Sequence, residues 1–276
     1  MSQPAERVRL AGAEDPRAAP FRALREPRAL AAAGLFAAEG RLVLERLLAP
    51  GARFGLRAVL ATPGLLDALA PALAACPGAT PCLEASEAEI AEVVGHALHR
   101  GGVGLAERGS ALAPEAVVAG ARGRPLLVLE RVADPDNLGA LFRSAWAFAA
   151  GGVLLAAGGA DPLYRKAVRA SMGAVLELPF ARLAGWPGDL AALRVAGYRV
   201  VALAPHAPLA LAALAPGAPT ALLLGSEGEG LSEAALAAAD SRVRIEVARG
   251  VDSLNVAAAG AIALHHLAAL EAACAS

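Results

Sequence analysis

Two glycine-rich loops near the end of the chain, each following an apolar run, constrain the fold more than any other feature. The first loop, residues 224–231, follows the apolar run 221–224, and the second loop, residues 249–256, follows the less continuous run 243–247. Apolar runs that break into glycine-rich turns and then into helices are typical of βα junctions in an α/β sheet. Ligands bind at the carboxyl ends of such strands. We therefore predict that the two loops form one pocket.

The order of the predicted elements divides the chain into two α/β units joined by a linker. Apolar runs and helical patterns alternate through residues 1–107, and they alternate again through residues 125–276. Residues 108–124 are rich in arginine, glycine, serine, alanine and proline, which is typical of a linker. The strands predicted in the second unit are entirely apolar, which favours a mostly parallel sheet with helices on both faces.

Three local patterns in the first unit carry predictions. Ser86 followed by Glu89 is a capping-box signature, so we expect a helix to begin there. Residues 1–20 are polar and interrupted by proline, and we expect them to form a loosely held arm. The first 60 residues carry ten arginines, which indicates either a surface for nucleic acid or only the codon usage of a GC-rich genome.

The composition argues against several classes of protein. The net charge is −1 and the pI is about 6.5, so the whole chain lacks the basic signature of nucleic-acid binding. The longest apolar windows are broken by prolines or, near the C-terminus, by His265 and His266, so we expect no membrane span. The N-terminus has no apolar segment typical of a signal peptide, and the cysteines form no C-x-x-C motif. We therefore expect a cytoplasmic protein.

His96 and His99 have the i, i+3 spacing of metal ligands on a helix. No third ligand lies near them in the sequence, and Gly101-Gly102 indicates that a helix ends there. We expect no metal site.

Three segments of the second unit lie at predicted βα junctions in a particular order and spacing. Residues 136–143 carry the pattern N-x-G-x-x-x-R, residues 224–231 contain the first glycine-rich loop, and residues 245–256 end in Ser-Leu-Asn-Val. Together they resemble the SpoU (TrmH) family of RNA 2′-O-ribose methyltransferases, in the SPOUT superfamily. The resemblance covers residues 124–270.

A shorter match lies in the first unit. Gly34-Leu35-Phe36 and Glu39-Gly40, with Val43-Leu44-Glu45 behind them, are similar to the family's L30e-like substrate-binding domain. The resemblance therefore implies an α/β chain with a smaller N-terminal L30e-like domain that grips RNA. It also implies that the catalytic domain is an α/β-knot with a mostly parallel sheet, whose C-terminal chain forms a deep trefoil knot, a rare feature. It further implies a homodimer whose active site uses both protomers.

The resemblance implies catalytic roles for Asn137, Arg143, Glu227, Ser253 and Asn255. Arg143 matches the family's proposed activator of the ribose 2′-hydroxyl. Because a guanidinium stays protonated far above neutral pH, orienting the 2′-oxygen or clamping the adjacent phosphate is an alternative to acting as a base. A simple surface arginine is a further alternative.

The other four matched residues also have structural alternatives. Asn137 helps to hold the arginine in the family, but its place just before the predicted helix 138–149 makes it a candidate N-cap. The resemblance implies that Glu227 orients the first glycine-rich loop and Arg143. The alternative is that its negative charge only favours the start of a helix. Ser253 and Asn255 hold the second loop near the substrate, or only form a turn.

The cofactor implied by the resemblance is S-adenosyl-L-methionine (SAM). The matched cofactor-binding residues are Leu203, Gly225, Ile245 and Leu254. Gly225 lets the main chain approach the adenosine closely, and an ordinary turn is the alternative. Ile245 and Leu254 offer apolar walls and main-chain groups to the adenine.

The chain departs from the family pattern at two places. Glu246-Val247 stand where Pro-Met is usual, and this change alters the wall near the cofactor. Ala257 stands where serine is frequent, and we expect this change to affect packing only.

The expected function is SAM-dependent methyl transfer to a ribose 2′-hydroxyl of structured RNA. We expect 23S rRNA as the target, because the added domain suits a folded RNA. The cofactor supplies the methyl group, so the protein must supply alignment, a pocket without water and help with the hydroxyl proton. Three alternatives stay open: a tRNA 2′-O-methyltransferase, a base-methylating member of the superfamily, and a non-catalytic RNA-binding member. A Rossmann-type oxidoreductase is disfavoured, because no acidic ribose partner follows a glycine-rich turn at the expected spacing.

Overall fold

The computed structural model describes residues 7–76, 80–98 and 101–275. The strands are β1 (Arg7–Arg9), β2 (Leu35–Glu39), β3 (Leu56–Ala61), β4 (Cys82–Glu84), β5 (Gly102–Glu107), β6 (Leu126–Leu129), β7 (Gly152–Leu155), β8 (Phe180–Arg182), β9 (Arg199–Leu203), β10 (Leu209–Ala210), β11 (Thr220–Leu224) and β12 (Ser241–Arg244). The α-helices are α1 (Ala19–Arg22), α2 (Pro27–Ala32), α3 (Arg41–Leu47), α4 (Pro63–Ala75), α5 (Glu87–Val94), α6 (Pro114–Ala121), α7 (Pro135–Ala147), α8 (Arg165–Ala170), α9 (Ala174–Glu177), α10 (Leu190–Val195), α11 (Glu233–Ala237) and α12 (Val256–Ala275). No helix within these described ranges is long and apolar enough to cross a membrane.

The chain folds as two compact units. The first comprises Met1–Ser110 and Leu163–Glu177, and the second comprises Ala111–Pro162 and Leu178–Ser276. The segment 163–177, with α8 and α9, therefore belongs to the first unit, although its place in the sequence lies within the second. The predicted linker contains the short helix α6, which belongs to the second unit.

The first unit contains a five-stranded mixed sheet with the strand order β1-β4-β3-β5-β2. β1, β4 and β3 run parallel, whereas β5 runs antiparallel to β3 and β2. Side chains from distant parts of the unit, among them Phe21, Leu60, Ile90 and Leu105, meet in one core. The sequence patterns at residues 35–40, 56–61 and 101–106 predict strands, and β2, β3 and β5 lie there. β4 escaped prediction because three residues are too few to show alternation.

The expectation of a loose arm over residues 1–20 is wrong for the described residues 7–20. β1 pairs with β4 as a parallel edge strand. The Asp15 carboxylate accepts hydrogen bonds from the main-chain N–H groups of Ala11 and Arg17, at 3.0 and 2.9 Å. The hydrogen bond from the Arg17 side chain, together with these N–H groups, holds the pKa of Asp15 well below its usual range. Side-chain-to-main-chain hydrogen bonds thus fold a segment that has little apolar pattern.

The predicted capping box at the start of α5 is confirmed. The Ser86 hydroxyl oxygen accepts from the Glu89 N–H at 3.3 Å, and the Glu89 carboxylate accepts from the Ser86 N–H at 2.7 Å. The same carboxylate accepts from the Ser86 hydroxyl and from the Arg9 guanidinium, each at 2.7 Å. These bonds, above all those from Ser86, lower the pKa of Glu89 to about 2.

Most of the positive charge near the N-terminus is matched by acidic groups of the same unit. The ion pairs are Arg7–Asp67, Arg9–Glu89, Arg17–Asp15, Arg41–Glu45, Arg46–Glu177 and Arg57–Glu107. Arg22 and Arg25 donate to main-chain carbonyl groups. This pairing weakens the interpretation of the N-terminal arginines as a surface for nucleic acid.

The second unit contains a seven-stranded sheet with the strand order β10-β12-β9-β11-β6-β7-β8. Every pairing in it is parallel. β11 lies between β9 and β6, and all of its residues are buried. The predicted α/β fold with a mostly parallel sheet is confirmed, and the leucine runs of β6 and β11 reflect burial on both faces.

Helices cover both faces of this sheet. On one face, α6 and α10 pack against alternate strand residues such as Val128 and Leu223. On the other face, α12 packs closely against α7 and β11. A side chain at Gly260 would begin 2.4 Å from Leu141 and 2.9 Å from Leu224. Glycine at position 260 therefore lets α12 approach the central strand.

Two element boundaries differ from the predicted ones and bear on the site. α7 begins at Pro135 because Asp134 caps it, with the Asp134 carboxylate accepting from the Asp136 N–H at 2.7 Å. β12 ends at Arg244, so Ile245 lies in the following loop. The trefoil knot and the L30e-like character of the first unit stay predictions.

Replacing Glu89 by glutamine should lower stability in a pH-dependent way. The unfolded chain carries a Glu pKa of about 4.3, above the folded value, so the ionised carboxylate stabilises the fold above about pH 4.3 and loses this effect as the pH falls towards 2. We expect Glu89→Gln to melt below the wild type at pH 7 and to converge with it in acid, as measured by circular dichroism. Glu87→Gln, which removes a charge from the same turn, is the control. A difference that stays constant with pH would contradict the prediction.

Candidate active site

A cavity of about 400 Å³ lies at the carboxyl ends of three adjacent strands, β12, β9 and β11. The chain that follows each strand forms its wall. The four residues matched to cofactor binding, Leu203, Gly225, Ile245 and Leu254, all line it. Three residues matched to catalysis, Glu227, Ser253 and Asn255, line it as well. The two glycine-rich loops therefore form one pocket.

Gly225 is required by the first glycine-rich loop itself. A side chain there would begin 2.0–2.2 Å from main-chain atoms of Gly230 and Leu231. The loop closes through two main-chain hydrogen bonds, from the Ser226 N–H to the Gly230 oxygen at 3.2 Å and from the Gly230 N–H to the Ser226 oxygen at 3.0 Å. Gly228 and Gly230 have φ values of 94° and 70°, which favour glycine. The glycines thus shape the pocket wall from within the loop.

A chain of hydrogen bonds joins three of the five residues matched to catalysis. Asn255 Nδ2 donates to Asn137 Oδ1 at 2.9 Å, and Asn137 Nδ2 donates to Glu227 Oε1 at 2.6 Å. Asn255 Oδ1 accepts from the N–H groups of Ala257 and Ala258, at 2.9 and 3.2 Å, at the start of α12. These partners fix both amide orientations, because each amide oxygen meets a donor and each NH₂ meets an acceptor.

Asn137 does not cap α7. It is the third residue of that helix, whose N-cap is Asp134. The capping alternative for Asn137 is therefore wrong, and its side chain joins α7 to the glycine-rich loop and to the start of α12. Asn255, by contrast, both caps the first turn of α12 and takes part in the hydrogen-bonded chain.

Arg143 lies outside this arrangement. It is exposed on α7 and does not line the cavity. Its side chain makes no hydrogen bond or ion pair with any residue in the described part of the chain. It lies six positions after Asn137, so at about 100° per residue the two side chains point about 120° apart around the helix. Within one chain, this motif brings Asn137 into contact with two lining residues, Glu227 and Asn255, and directs Arg143 elsewhere.

The sequence model of the SpoU rRNA Methylase family matches residues 124–265. The chain belongs to the SpoU rRNA methylase family. It is an RNA methyltransferase, and the resemblance found in the sequence is confirmed. An uncharacterized tRNA/rRNA methyltransferase of Mycobacterium bovis is 43% identical over 261 residues, which are 91% of this chain and 88% of the relative.

Two solved structures share the fold over both units. An AdoMet-bound rRNA methyltransferase from Sinorhizobium meliloti has a TM-score of 0.80 and 27% identity, over 95% of this chain and 97% of that one. An RNA 2′-O ribose methyltransferase has a TM-score of 0.79 and 28% identity, over 96% of this chain and all (100%) of the other.

Two residues at which this methylase departs from the family pattern, Glu246 and Val247, lie differently with respect to the cavity. Ile245 and Val247 line the cavity, and Glu246 is not among the lining residues. The Glu246 side chain is 70% exposed and lies 3.4 Å from the Arg244 guanidinium. The charge introduced by this departure is therefore matched by a neighbour and held outside the cavity.

Two acidic residues at the site of the methylase escaped the sequence analysis. Asp252 lines the cavity. Glu130 is only 3% exposed at the carboxyl end of β6, where its Oε1 accepts from Trp186 Nε1 and its Oε2 accepts from the Ser232 N–H, each at 2.8 Å. The signal for Glu130 was an acidic residue placed directly after the apolar run 126–129. It ties the end of the glycine-rich loop to β6.

The structure offers no metal site among the residues it describes. No group of three His, Cys, Asp or Glu side chains there is placed to hold an ion. His96 Nε2 lies 3.5 Å from Glu39 and 3.1 Å from Arg165 Nη1, so its ring belongs to a charged cluster of the first unit. His99, the other histidine with the i, i+3 spacing, lies outside the described residues.

Replacing Gly225 by alanine should destabilise the second unit. The atoms nearest to the added methyl group are main-chain atoms, which cannot rotate away, so we expect an overpacking cost of about 1–3 kcal/mol. Gly120→Ala is the matched control, because Gly120 lies in α6 with nothing within 4 Å of the added carbon. It should stabilise the protein by about 0.5–1 kcal/mol. Urea denaturation measures both, and an unchanged Gly225→Ala would contradict the close contact.

Proposed function

We propose that this methylase transfers the methyl group of SAM to a ribose 2′-hydroxyl of structured RNA, with 23S rRNA as the target. The observation that carries the proposal is the chain of hydrogen bonds from Asn255 through Asn137 to Glu227 beside the 400 Å³ cavity. Three separate motif segments meet there. An in-line transfer needs such fixed polar groups to align a hydroxyl with the methyl carbon.

The lining of the cavity suits SAM. Leu203, Ile245 and Leu254 offer an apolar surface to an adenosine. Glu227 and Asp252 contribute two carboxylates, and no arginine or lysine is among the described lining residues. A cationic ligand is favoured by such a wall. The S. meliloti relative, whose fold covers nearly the whole chain, was solved with bound AdoMet, which is SAM.

When bound, SAM would supply a methyl group on a positively charged sulfur and leave as the neutral thioether, so the chain's own residues must bind and align the reactants, exclude water and help the 2′-hydroxyl proton to leave. The glycine-rich loop forms one wall, and its closed hydrogen bonds keep the wall fixed before the ligand binds. Asn137 and Asn255 are held in single orientations by their partners. We assign to Ser253, which lines the same cavity, a role in holding the substrate.

Arg143 serves the pocket of a second copy of the chain in this proposal. It is exposed and turned away from the cavity of its own chain. Trp146 on α7 and Ile262 on α12 are 42% and 44% exposed, although both are large apolar residues on helices that pack together. A homodimer through α7 and α12 would cover these two side chains. It would also let the Arg143 guanidinium orient a ribose oxygen or clamp its phosphate.

The target is proposed as rRNA because the matching family is an rRNA methylase family and the S. meliloti relative is an rRNA methyltransferase. The M. bovis relative is named for both tRNA and rRNA, so tRNA is the matched alternative. The 2′-hydroxyl is proposed because a structure aligned over nearly the whole chain is an RNA 2′-O ribose methyltransferase.

Incubation with labelled SAM and unmodified rRNA or tRNA, followed by nucleoside analysis, tests the proposal. We expect a 2′-O-methylnucleoside in rRNA, recognised because it protects the following phosphate from alkali. Arg143→Ala should lower kcat by about 10²–10³-fold, the usual effect of losing one donor that acts in the transition state. Arg122→Ala, an exposed arginine just before β6, is the matched control and should keep its activity.

Each other outcome selects one alternative. A methylated base would contradict ribose chemistry, and a 2′-O-methylnucleoside found only in tRNA would correct the target. Transfer to no RNA, together with no SAM binding by calorimetry, would favour a non-catalytic RNA-binding protein.

Mixing two inactive variants tests the shared site. Arg143→Ala and Asn137→Ala each damage a different part of the proposed site, so a dimer that contains one copy of each has one intact site. Co-expression should therefore restore part of the activity that each variant lacks alone. Light scattering that shows a monomer, or co-expression without any recovery, would contradict the shared site.

A further inference from the structure

The dipeptide Glu130–Arg131, at the carboxyl end of β6, contacts the first glycine-rich loop, called the glycine-rich loop from here on, at three points. The Glu130 N–H donates to the oxygen of Leu224, just before the loop, at 2.8 Å. Glu130 Oε2 accepts from the N–H of Ser232, just after the loop, at 2.8 Å. Arg131 Nη2 pairs with the carboxylate of Glu229, within the loop, at 3.0 Å. The loop is thus held at its beginning, its middle and its end by two consecutive residues.

Arg131 adopts a conformation that residues with side chains rarely adopt. Its φ is 54°, in the left-handed region. Its Nε is buried without a hydrogen-bond partner in the described part of the chain, whereas its side chain as a whole is 42% exposed. Gly158 lies alongside, and a side chain there would begin 3.4 Å from Arg131 Cγ. Backbone strain of this kind persists where the surrounding structure enforces it, and such residues cluster at functional sites.

We propose that Arg131 is a positioning residue for the methyl-transfer reaction. Its ion pair with Glu229 holds the middle of the glycine-rich loop, whose ends are already fixed by Glu130. The loop then keeps Glu227 within hydrogen-bond reach of Asn137 and keeps its main chain in place as a wall of the SAM pocket. The inference rests on the proposed function for its effect on SAM, but its effect on the loop is independent of any ligand.

Ion pairs between exposed side chains usually contribute little to global stability. Glu229 is 75% exposed, so this pair is expected to change the local opening of the loop and not the melting temperature of the protein. The Arg7–Asp67 pair offers a matched control, because its two side chains are 35% and 71% exposed and belong to the first unit, whereas the loop belongs to the second.

Hydrogen exchange at the Ser226 and Gly230 amides tests the inference in the protein alone, because these two N–H groups close the loop. We expect Glu229→Gln to speed this exchange roughly two- to five-fold, the range that an exposed ion pair supports. Arg131→Gly keeps the left-handed backbone without strain but removes the side chain, and it should give the same increase. The double variant should give no further increase, and Asp67→Asn should match the wild type. Exchange in Glu229→Gln at the wild-type rate would overturn the inference.

SAM binding measured by calorimetry, followed by kinetics, tests the consequence for the reaction. Glu229→Gln and Arg131→Gly should each weaken SAM binding and raise the KM for SAM roughly two- to five-fold, with the KM for RNA unchanged. Glu229→Gln should also leave the melting temperature unchanged. Exchanging the charges, in the double variant Arg131→Glu with Glu229→Arg, should restore SAM binding. Unchanged SAM affinity in both single variants, or no recovery in the exchanged variant, would overturn the role of the ion pair. A wild type that binds no SAM would refute the proposed function, while the hydrogen-exchange result would still decide how the loop is held.

Discussion

The central strand β11 is the element on which the site depends. It is hydrogen-bonded to β9 on one side and to β6 on the other, and all of its residues are buried, so it cannot shift without breaking both ladders. Because its neighbours are parallel, their carboxyl ends lie at one edge of the sheet, and the loops that follow them converge there. Gly260 lets α12 pack directly against this strand, which fixes the helix that begins next to Asn255.

The polar groups at this edge form a chain of hydrogen bonds in which each group donates to the next. The first-turn N–H groups of α12 donate to Asn255, which donates to Asn137, which donates to the carboxylate of Glu227. A negative charge therefore ends the chain at the pocket wall, where Asp252 adds another. Two arginines near the site stand apart from the described lining: Arg244 pairs with Glu246, and Arg131 pairs with Glu229. A pocket with this charge distribution favours a cationic ligand and holds its own cations at the periphery.

Much of the fold followed from periodicity and turn chemistry. The apolar runs located β3, β6, β9 and β11, and the capping box located α5, because these signals are local and strong. The folding of residues 7–18 could not be predicted in this way, since their order comes from pairing with β4 and from hydrogen bonds to Asp15. The start of α7 was also predicted too late, because Asp134 and Pro135 are residue types typical of loops. In the structure Asp134 is the N-cap and Pro135 the first helical residue.

The sequence by itself determined that motif residues at three βα junctions lie at one edge of a parallel sheet, although Glu130 and Asp252 at the same edge were not predicted. Only the tertiary structure decided how they are connected. It joined Asn137 to Glu227 and Asn255, which are 90 and 118 residues away, and it turned Arg143 away from the cavity of its own chain. A hydrogen bond forms only when the donor–acceptor distance lies within a few tenths of an ångström of about 2.9 Å. Local sequence patterns do not specify such distances between residues that are remote in sequence. For the same reason, the sequence does not predict the three contacts of Glu130–Arg131 with the first glycine-rich loop, because they depend on the pairing of β6 with β11.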